Sequence, residues 1–599
     1  MRIRTGVVCL VLGLAMAWPG RSQNITTVAG NSTWGAVYNV TLDSAGNMYV
    51  PDFTKHVVYK VDRLGATTIV AGNGKAGYSG DGGLATNAQL SGPLGTAIAP
   101  DGTLYIADYN NDRIRKVAPN NIITTFVGGS GGFSGDGGPA SAAKINGPFS
   151  MAMDAKGNLF FVDYVNLRVR KIAADGTIST VAGTGRNSKS GDGGPATSAD
   201  SCPGWLALGP DGSVYFTDDG NATSPCYKRV RKVSPLGVIT TVAGTGTSGF
   251  SGDGGPATAA LLRSAEGVSI DAGGNIYISE GYGARIRKVD KGGIITTYAG
   301  TGTGGPAGDG GPAIQAQVNF PTGQAIDADG NIFFADTNNV KIRKITPPPL
   351  PTIDTTSNAV VPAFLGKTGF TSNSYLEIHG QNLATTTRTW AGGDFTGANA
   401  PTTVDNVKVT VNGIPAFVYY VSPTQININT PDDTANGSAL IQVQNALGFS
   451  NTVSSTRARV APALQSVPQF LVGGKQYVVA QTPDFKSFIG KPNLLQGVPF
   501  TPAKPGDSII VYALGCGPTN PLTPAGVVAS QNSALALPFR INIGGVQADV
   551  AFGGIAANTI GLYQFNVTIP NVQPGDQPIE LIVDGVPNAQ NLVITIGGQ

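Results

Sequence analysis

The sequence predicts an all-β protein, a six-bladed β-propeller followed by two immunoglobulin-like β-sandwich domains. Three observations support this fold class. The chain of 599 residues contains 84 glycines and 40 prolines, which is typical of many short strands joined by turns. A glycine-rich motif recurs at intervals of 55 to 61 residues through the first half of the chain. The second half lacks this repeat and contains alternating polar and apolar runs instead.

Two acidic markers define the repeat. The first is the aspartate of Ser-Gly-Asp-Gly-Gly or a close variant, found at Asp81, Asp136, Asp192, Asp253 and Asp309. The second is an acid that ends a β-like run and precedes a basic run, as in "YIADYNNDRIRKV", found at Asp52, Asp108, Asp163, Asp218, Glu280 and Asp336. Because the second marker occurs six times, we expect six units.

Each unit has the composition of one propeller blade. Residues 94–128 contain four β-like runs, "GTAIA", "TLYIAD", "RIRKV" and "IITTFVG", separated by turn residues. The sixth unit stops at Ile345 without a fourth run, whereas Asn24–Gly30, "NITTVAG", matches the fourth-run motif. We therefore expect the N-terminal strand to complete the last blade and so close the ring.

The glycine-flanked aspartates have a structural and a functional interpretation. The structural one is that each caps its own glycine-rich turn and accepts a charge-assisted bond from an arginine of the "RIRK" strand. The first unit supports it, because this unit lacks both the aspartate loop and the arginines, with Val57 and Tyr59 in their places. A calcium loop would need more oxygens, and a phosphate cradle would need a helix and a lysine. The sequence therefore favours the structural interpretation, in which these loops join one blade to the next.

Acids and bases also recur across the predicted hairpin between the second and third strands. We expect these pairs to fix the strand register. They are Asp108 with Arg113, Asp163 with Arg168, Asp218 with Arg229, Glu280 with Arg285, and Asp336 with Lys341. A lysine follows in every unit, either with its stem packed on the sheet or as part of a basic ring for an anionic polymer.

The N-terminus has the pattern of a signal peptide, which we assign to residues 1–22. Two arginines precede an apolar run from Val7 to Ala17, and cleavage after Ala17 or Ser22 fits the small residues there. No later apolar run is long enough for a membrane span, so we expect no integral membrane segment after cleavage and a secreted, periplasmic or cell-surface protein. With 13% charged residues and a net charge of +2, neither nucleic acid nor an anionic membrane is the expected partner.

Two cysteines lie in the fourth unit, where the repeat is interrupted. Cys202 is in its entry loop and Cys226 is in an insertion on the same face. Because export permits disulfides, we predict a Cys202–Cys226 bond. The insertion is either a recognition surface or a neutral addition held by this bond. Cys516 has no evident partner, and we interpret it as a buried or idle thiol.

The predicted domains are a propeller at 23–346, a proline-rich linker at 347–351 and two sandwiches at 352–460 and 461–599. The two sandwiches share a pattern, since Gln425-Ile426-Asn427 aligns with Gln564-Phe565-Asn566 and both triplets precede a proline.

The motifs also resemble known families. The pattern "GxAxDxxGNxYxADxxNxRIRKV" resembles the NHL repeat of secreted bacterial proteins, and this resemblance implies a six-bladed propeller used mostly for binding. "LEIHGQNL" and "SPTQIN" resemble an IPT/TIG immunoglobulin-like domain, and "PGDSIIVYALGCGPTNP" resembles a module of bacterial secreted proteins.

We therefore expect an exported binding scaffold without catalytic residues or a cofactor, whose propeller recognises an extracellular protein or glycan. The sandwiches would serve as spacer or attachment modules. One alternative is a lyase or hydrolase that uses calcium bound by carboxylates, and another is a structural envelope or matrix component. NHL-type lyases, by the same resemblance, use several histidines, whereas this chain has only His56 and His379.

Overall fold

The computed structural model describes residues 23–188, 190–218, 228–355, 360–362, 370–433 and 435–598. Residues 21–348 form one compact unit, and residues 349–599 belong to a second. The all-β prediction is confirmed, because the first unit is built from repeated four-stranded antiparallel sheets and no α-helix occurs among the described residues.

The first unit contains six such sheets within its described residues, numbered here as blades 1 to 6. The N-terminal strand β1 is Asn24–Ala29. Blade 1 consists of β2 (Thr41–Leu42), β3 (Met48–Asp52), β4 (Val57–Val61) and β5 (Thr67–Ala71). Blade 2 consists of β6 (Pro93–Ile98), β7 (Leu104–Asp108), β8 (Arg113–Val117) and β9 (Ile123–Gly128). Blade 3 consists of β10 (Pro148–Met153), β11 (Leu159–Asp163), β12 (Arg168–Ile172) and β13 (Ile178–Ala182).

The remaining blades follow the same order. Blade 4 consists of β14 (Pro203–Leu208), β15 (Val214–Asp218), β16 (Val230–Val233) and β17 (Ile239–Ala243). Blade 5 consists of β18 (Gly267–Ile270), β19 (Ile276–Glu280), β20 (Arg285–Val289) and β21 (Ile295–Ala299). Blade 6 consists of β22 (Pro321–Ile326), β23 (Ile332–Asp336), β24 (Lys341–Thr346) and β1.

The blades form a closed ring. The first strand of each blade contacts the first strands of its neighbours, and β22 of blade 6 contacts β2 of blade 1. Strand β1 is the outermost strand of blade 6, where Ile25 lies opposite Ile345 of β24. Because the two ends of this unit share one sheet, the ring has no open seam.

Single 3-10 turns accompany the loops that join consecutive blades. They are Ala85–Asn87, Ala140–Ala142, Ala196–Ser198, Ala257–Ala259 and Ala313–Gln315. Two more, Tyr109–Asn111 and Thr337–Asn339, lie between the second and third strands of blades 2 and 6. Another, Gly392–Asp394, lies in the second unit. Among the described residues, none of the helices has the length and hydropathy that a membrane crossing requires.

The second unit contains two sandwiches, each with its own core and two sheets. The first has strands β25 (Thr352–Ile353), β26 (Val360–Pro362), β27 (Tyr375–Gln381), β28 (Arg388–Thr389), β29 (Lys408–Val411), β30 (Ile414–Pro415), β31 (Phe417–Val421), β32 (Gln425–Asn429), β33 (Gly437–Asn445), β34 (Gly448–Phe449) and β35 (Val453–Arg457). Strands β25 to β28, β31 and β32 form one sheet, and the others form the second.

The second sandwich begins with β36 (Ala463–Leu464), β37 (Ser466–Val472), β38 (Lys475–Val478), β39 (Ala480–Gln481), β40 (Phe488–Ile489), β41 (Phe500–Thr501), β42 (Ser508–Leu514) and β43 (Thr519–Asn520). It ends with β44 (Ser533–Leu535), β45 (Phe539–Ile543), β46 (Val546–Gln547), β47 (Asp549–Ile555), β48 (Tyr563–Thr568), β49 (Gly575–Val583), β50 (Val586–Pro587) and β51 (Leu592–Ile596). The two sandwiches touch, since the Tyr375 hydroxyl donates to the Ile560 carbonyl at 2.8 Å.

Candidate functional site

Blades 2 to 6 each contain a buried arginine that lies between two carboxylates. These arginines are the third residue of "RIRK" or its equivalent, with no exposed surface: Arg115, Arg170, Arg231, Arg287 and Arg343. Nη2 lies 2.6 to 2.7 Å from Oδ1 of the loop aspartate in all five blades. Nη1 lies 3.4 to 3.9 Å from the acid that ends the second strand. We call each set an ion-pair cluster.

The loop aspartates join consecutive blades. Asp81 leaves blade 1 after β5, yet it accepts hydrogen bonds from two residues of blade 2, Arg115 at 2.6 Å and the Thr125 amide at 3.1 Å. Burial raises the pKa of Asp81, but the bonds from Thr125 and Arg115 outweigh it and hold the pKa below its usual value. In blade 6 the threonine comes from the N-terminal strand, where Thr27 donates to Asp309 at 2.5 Å.

The expectation that each loop aspartate caps its own turn is wrong. In the first loop, the Gly82 amide donates to the Ile123 carbonyl of blade 2 at 2.8 Å. The carboxylate of Asp81 is occupied by blade 2 and by the Tyr78 hydroxyl at 3.0 Å. The glycines and the aspartate therefore attach the loop to the next blade.

The predicted hairpin pairs lie opposite each other, but most of them are not ion pairs. Asp108 faces Arg113, and the equivalent residues of blades 3, 5 and 6 match in the same way. The Arg113 guanidinium nevertheless donates to the carbonyls of Asn111 (2.7 Å) and Gly129 (3.1 Å), while Asp108 pairs with Arg115. Because Arg113 and Arg115 are two residues apart on one strand, their side chains point to the same face, and it is Arg115 that reaches the buried acid.

The outcome for each predicted pair follows from this geometry. Asp163 pairs with Arg170 and not Arg168, Glu280 with Arg287 and not Arg285, and Asp336 with Arg343 and not Lys341. Asp218 does pair with Arg229, at 2.5 Å. Of the five predicted pairs, all of which lie within the described residues, Asp218 with Arg229 is the one that forms an ion pair.

Blade 1 replaces the ion-pair cluster with an aromatic stack. Tyr59 occupies the strand position of the buried arginine, and Trp34 comes from the preceding loop. Their ring centroids lie 4.8 Å apart at an interplanar angle of 5°. Since both rings are at most 9% exposed, an apolar contact does here what an ion pair does in the other blades.

The acids that end the second strands, which we call the inner acids, are fully buried. Their carboxylates accept several hydrogen bonds, except in blade 5. The amide of Asn111 donates to Asp108 at 2.8 Å, and the equivalent asparagines do the same in blades 3 and 6. Blade 5 has Glu280 in place of the aspartate and Gly283 in place of the asparagine, and Glu280 Oε2 has no hydrogen-bond partner. Burial raises the pKa of Glu280 to about 7 and that of Asp163 to about 6.

A continuous row of aromatic rings lies on the face of the ring that carries these loops, which we call the loop face. We call it the aromatic strip; it consists of Tyr38, Phe53, Tyr109, Phe149, Tyr164 and Trp205, from blades 1 to 4. Neighbouring centroids are 4.8 to 6.4 Å apart. Trp205 is buried, whereas the other five rings are half-buried. The strip is therefore a shallow, uncharged surface that spans several blades.

Trp205 also separates this face from the central channel. The first strands of all six blades line a cavity of about 320 Å³ on the ring axis. A Cβ built on Gly323 of blade 6 would lie 2.6 Å from Trp205 Cζ3, so the indole reaches from blade 4 across to blade 6. A large ligand on the loop face would lie across the channel mouth instead of entering it.

The channel does not fit the calcium alternative. None of its lining residues carries a carboxylate or an imidazole, although Ca²⁺ sites in proteins are rich in carboxylate oxygens. No group of three or more His, Cys, Asp or Glu side chains converges within the described residues. The other residues singled out are structural, since His56 accepts the Gly92 amide at 3.2 Å and His379 lies 3.6 Å from Glu377.

The cysteines are only partly described. Cys202 is fully buried, and its amide donates to Asp218 at 2.6 Å. Cys226 lies outside the described residues, so the Cys202–Cys226 disulfide stays a prediction. Cys516 is buried, and burial raises the pKa of its thiol well above the usual range.

Sequence reasoning missed the aromatic residues of the loop face. Tyr78, Phe133 and Phe250 precede the Ser-Gly-Asp motif, and the ring of Tyr78 lies 3.8 Å from Arg113 Cζ. The sequence does contain a pattern that indicates the strip: an aromatic residue directly follows the acid that ends the second strand in blades 1, 2 and 3 only. The third-strand lysines of blade 1 and of blades 3 to 6 lie over rings, as Lys232 does at 5.3 Å from Tyr215, so their stems pack on the sheet.

Comparison with known proteins agrees with this architecture. Residues 19–134 and 245–304 match the Teneurin NHL domain, and residues 356–457 match the IPT/TIG domain. Mouse Teneurin-1 is 28% identical over 286 residues, which is 41% of this chain and 10% of that protein. The chloroplastic SUPPRESSOR OF QUENCHING 1 protein of Arabidopsis thaliana is 28% identical over 291 residues, covering 46% of this chain and 27% of that protein.

A solved structure of a Bacteroides thetaiotaomicron protein of unknown function aligns with a TM-score of 0.40 and 18% identity, covering 54% of this chain and 76% of that one. The part of this chain that aligns with the Teneurins covers about a tenth of their length. The chain combines an NHL-type region built of repeated four-stranded sheets with an IPT/TIG domain.

Proposed function

We propose that this protein is an exported, non-catalytic binding scaffold. Its propeller recognises an extracellular protein or glycan through the loop face, and its sandwiches act as spacer or attachment modules. The aromatic strip is the observation that carries the proposal. Large contiguous apolar patches on a protein surface mark interaction sites, and aromatic rings supply large contact area at low entropic cost.

The proposal is tested by screening the mature chain against arrays of extracellular proteins and of glycans. Two variants accompany it: Tyr109→Ala/Tyr164→Ala removes the centre of the strip, and Tyr282→Ala removes a 67% exposed ring elsewhere on the loop face. We expect a partner that binds the wild type and Tyr282→Ala but not the double variant. Absence of any selective partner, or equal binding by all three proteins, would refute the proposal.

A further inference from the structure

The shape of the aromatic strip selects an elongated ligand. Its rings run from blade 1 to blade 4 without a gap of more than 6.4 Å between centroids. The strip follows the channel mouth, which Trp205 obstructs, and so offers a track along the surface instead of a deep pocket. A small molecule would contact only one or two of the rings, whereas a chain of linked units could contact several.

The charge of the strip selects a neutral ligand. None of its six side chains is charged. Of the acids beside its rings, Asp52, Asp108 and Asp163 are fully buried and Asp112 is half-buried, and each of the four already accepts a backbone hydrogen bond. A charged polymer laid on the strip would lose hydration without gaining a counter-charge, and this loss opposes binding.

The strip also provides polar atoms that its own fold leaves unused. Within the described part of the chain, the hydroxyls of Tyr38 and Tyr109 and the side-chain amide of the exposed Asn110 take part in no hydrogen bond, although the Asn110 backbone amide donates to the Ser91 carbonyl. Each hydroxyl can both donate and accept, and the amide offers both functions as well. Apolar ring surface next to unused hydroxyl and amide groups matches a ligand with apolar faces and hydroxylated edges.

We infer that the aromatic strip binds a linear, neutral polysaccharide, with sugar rings stacked on Phe53, Tyr109 and Tyr164. This inference rests on the proposed function and specifies its ligand class. The opposite half of the face lacks the strip, because Gly281 and Thr337 stand where blades 1 to 3 have aromatic residues. Its Tyr282–Phe320 pair, at 4.9 Å, is a single contact and serves as the matched control.

The test is affinity electrophoresis and calorimetry of the mature chain with soluble neutral polysaccharides (mixed-linkage glucan, xylan, galactomannan and amylose), with alginate and heparin as anionic controls. We expect at least one neutral polymer to bind with little dependence on salt, since no ion pair is formed. Tyr109→Ala/Tyr164→Ala should weaken it at least about fivefold, because the double variant removes two of the three rings on which the sugar units stack. Tyr282→Ala should leave it unchanged.

Melting curves of each variant show whether it is folded. If the double variant does not fold, Tyr109→Phe keeps the ring and removes only the hydroxyl, and we then expect a several-fold loss of affinity. The inference is overturned if only anionic polymers bind, if no neutral polymer binds, or if binding ignores these substitutions. A protein partner that depends on the strip would overturn it while leaving the proposed function intact, whereas no strip-dependent partner of any kind would overturn both.

Discussion

Glu280 should make the stability of the propeller depend on pH, and Glu280→Gln should remove this dependence. The side chain is fully buried in blade 5, and its Oε2 has no partner. Its Oε1 accepts only long bonds, from the Arg263 amide at 3.3 Å and from Arg287 at 3.5 Å. Burial raises the pKa of Glu280 to about 7, although Arg287 and Arg285 pull in the other direction.

The sign and size of the effect follow from linkage. The folded state holds the proton more tightly than the unfolded state, whose pKa is 4.5. The stabilisation by this proton is therefore complete below pH 4.5 and is lost as the pH rises through about 7. At about 1.4 kcal/mol per pH unit, the wild type loses about 3 kcal/mol of unfolding free energy over this interval from this group.

Glutamine mimics the protonated acid, so the variant should match the wild type at acidic pH and exceed its stability above pH 7 by up to about 3 kcal/mol. Arg287 keeps its bond of 2.7 Å to Asp253 in the variant. Urea unfolding of both proteins at a series of pH values measures the difference, and all other titrating groups are common to both. Parallel stability curves, or a variant less stable at alkaline pH, would refute this account of Glu280.

Three further predictions concern the ion-pair clusters and Cys202. Gly283→Asn should lower the free energy of unfolding, because its Cβ would lie 2.7 Å from both Cβ and Oε2 of Glu280, and Glu280→Asp should restore only part of the loss, since aspartate removes the overlap with the carboxylate but keeps the Cβ; full recovery of stability in Glu280→Asp/Gly283→Asn, measured by urea unfolding, contradicts this. Asp136→Asn removes the 2.7 Å partner of Arg170 and should cost about 1–2 kcal/mol in urea unfolding, since Asp136 is 36% exposed; no change would mean that Asp163 alone balances the arginine. Cys202→Ser should cost about 3 kcal/mol under oxidising conditions; a wild-type melting temperature that reductant leaves unchanged would rule out the predicted disulfide.

The sequence predicted the architecture because the repeat period and the turn residues both report local structure. The match between "NITTVAG" and the fourth-strand motif indicated how the ring closes, and β1 does pair with β24. It could not choose between Arg113 and Arg115, since both point to the same face and only packing decides which one is buried. Nor could it place Trp205 against Gly323, because this contact joins residues across the ring that no local pattern relates.

The aromatic strip was missed for a different reason. Each ring belongs to a separate blade, so a residue-by-residue reading finds single aromatic residues that are common in strands. Only an alignment of the blades reveals that Phe53, Tyr109 and Tyr164 occupy one position, directly after the inner acid. The information was present, but it lay in the differences between copies and not in their common motif.

These differences separate structural from functional residues within the repeat. Blade 1 folds with Trp34 stacked on Tyr59 in place of the ion pair, so the repeated aspartate is one of two solutions to the same packing problem. Blades 5 and 6 fold with Gly281 and Thr337 at the strip position, so an aromatic ring there is not required to build a blade. Rings that the fold does not need, gathered on adjacent blades and left half-exposed, are therefore better explained by a ligand than by stability. The glycine-flanked aspartates attach one blade to the next, and under the proposed function the ligand is recognised at the positions at which the blades differ.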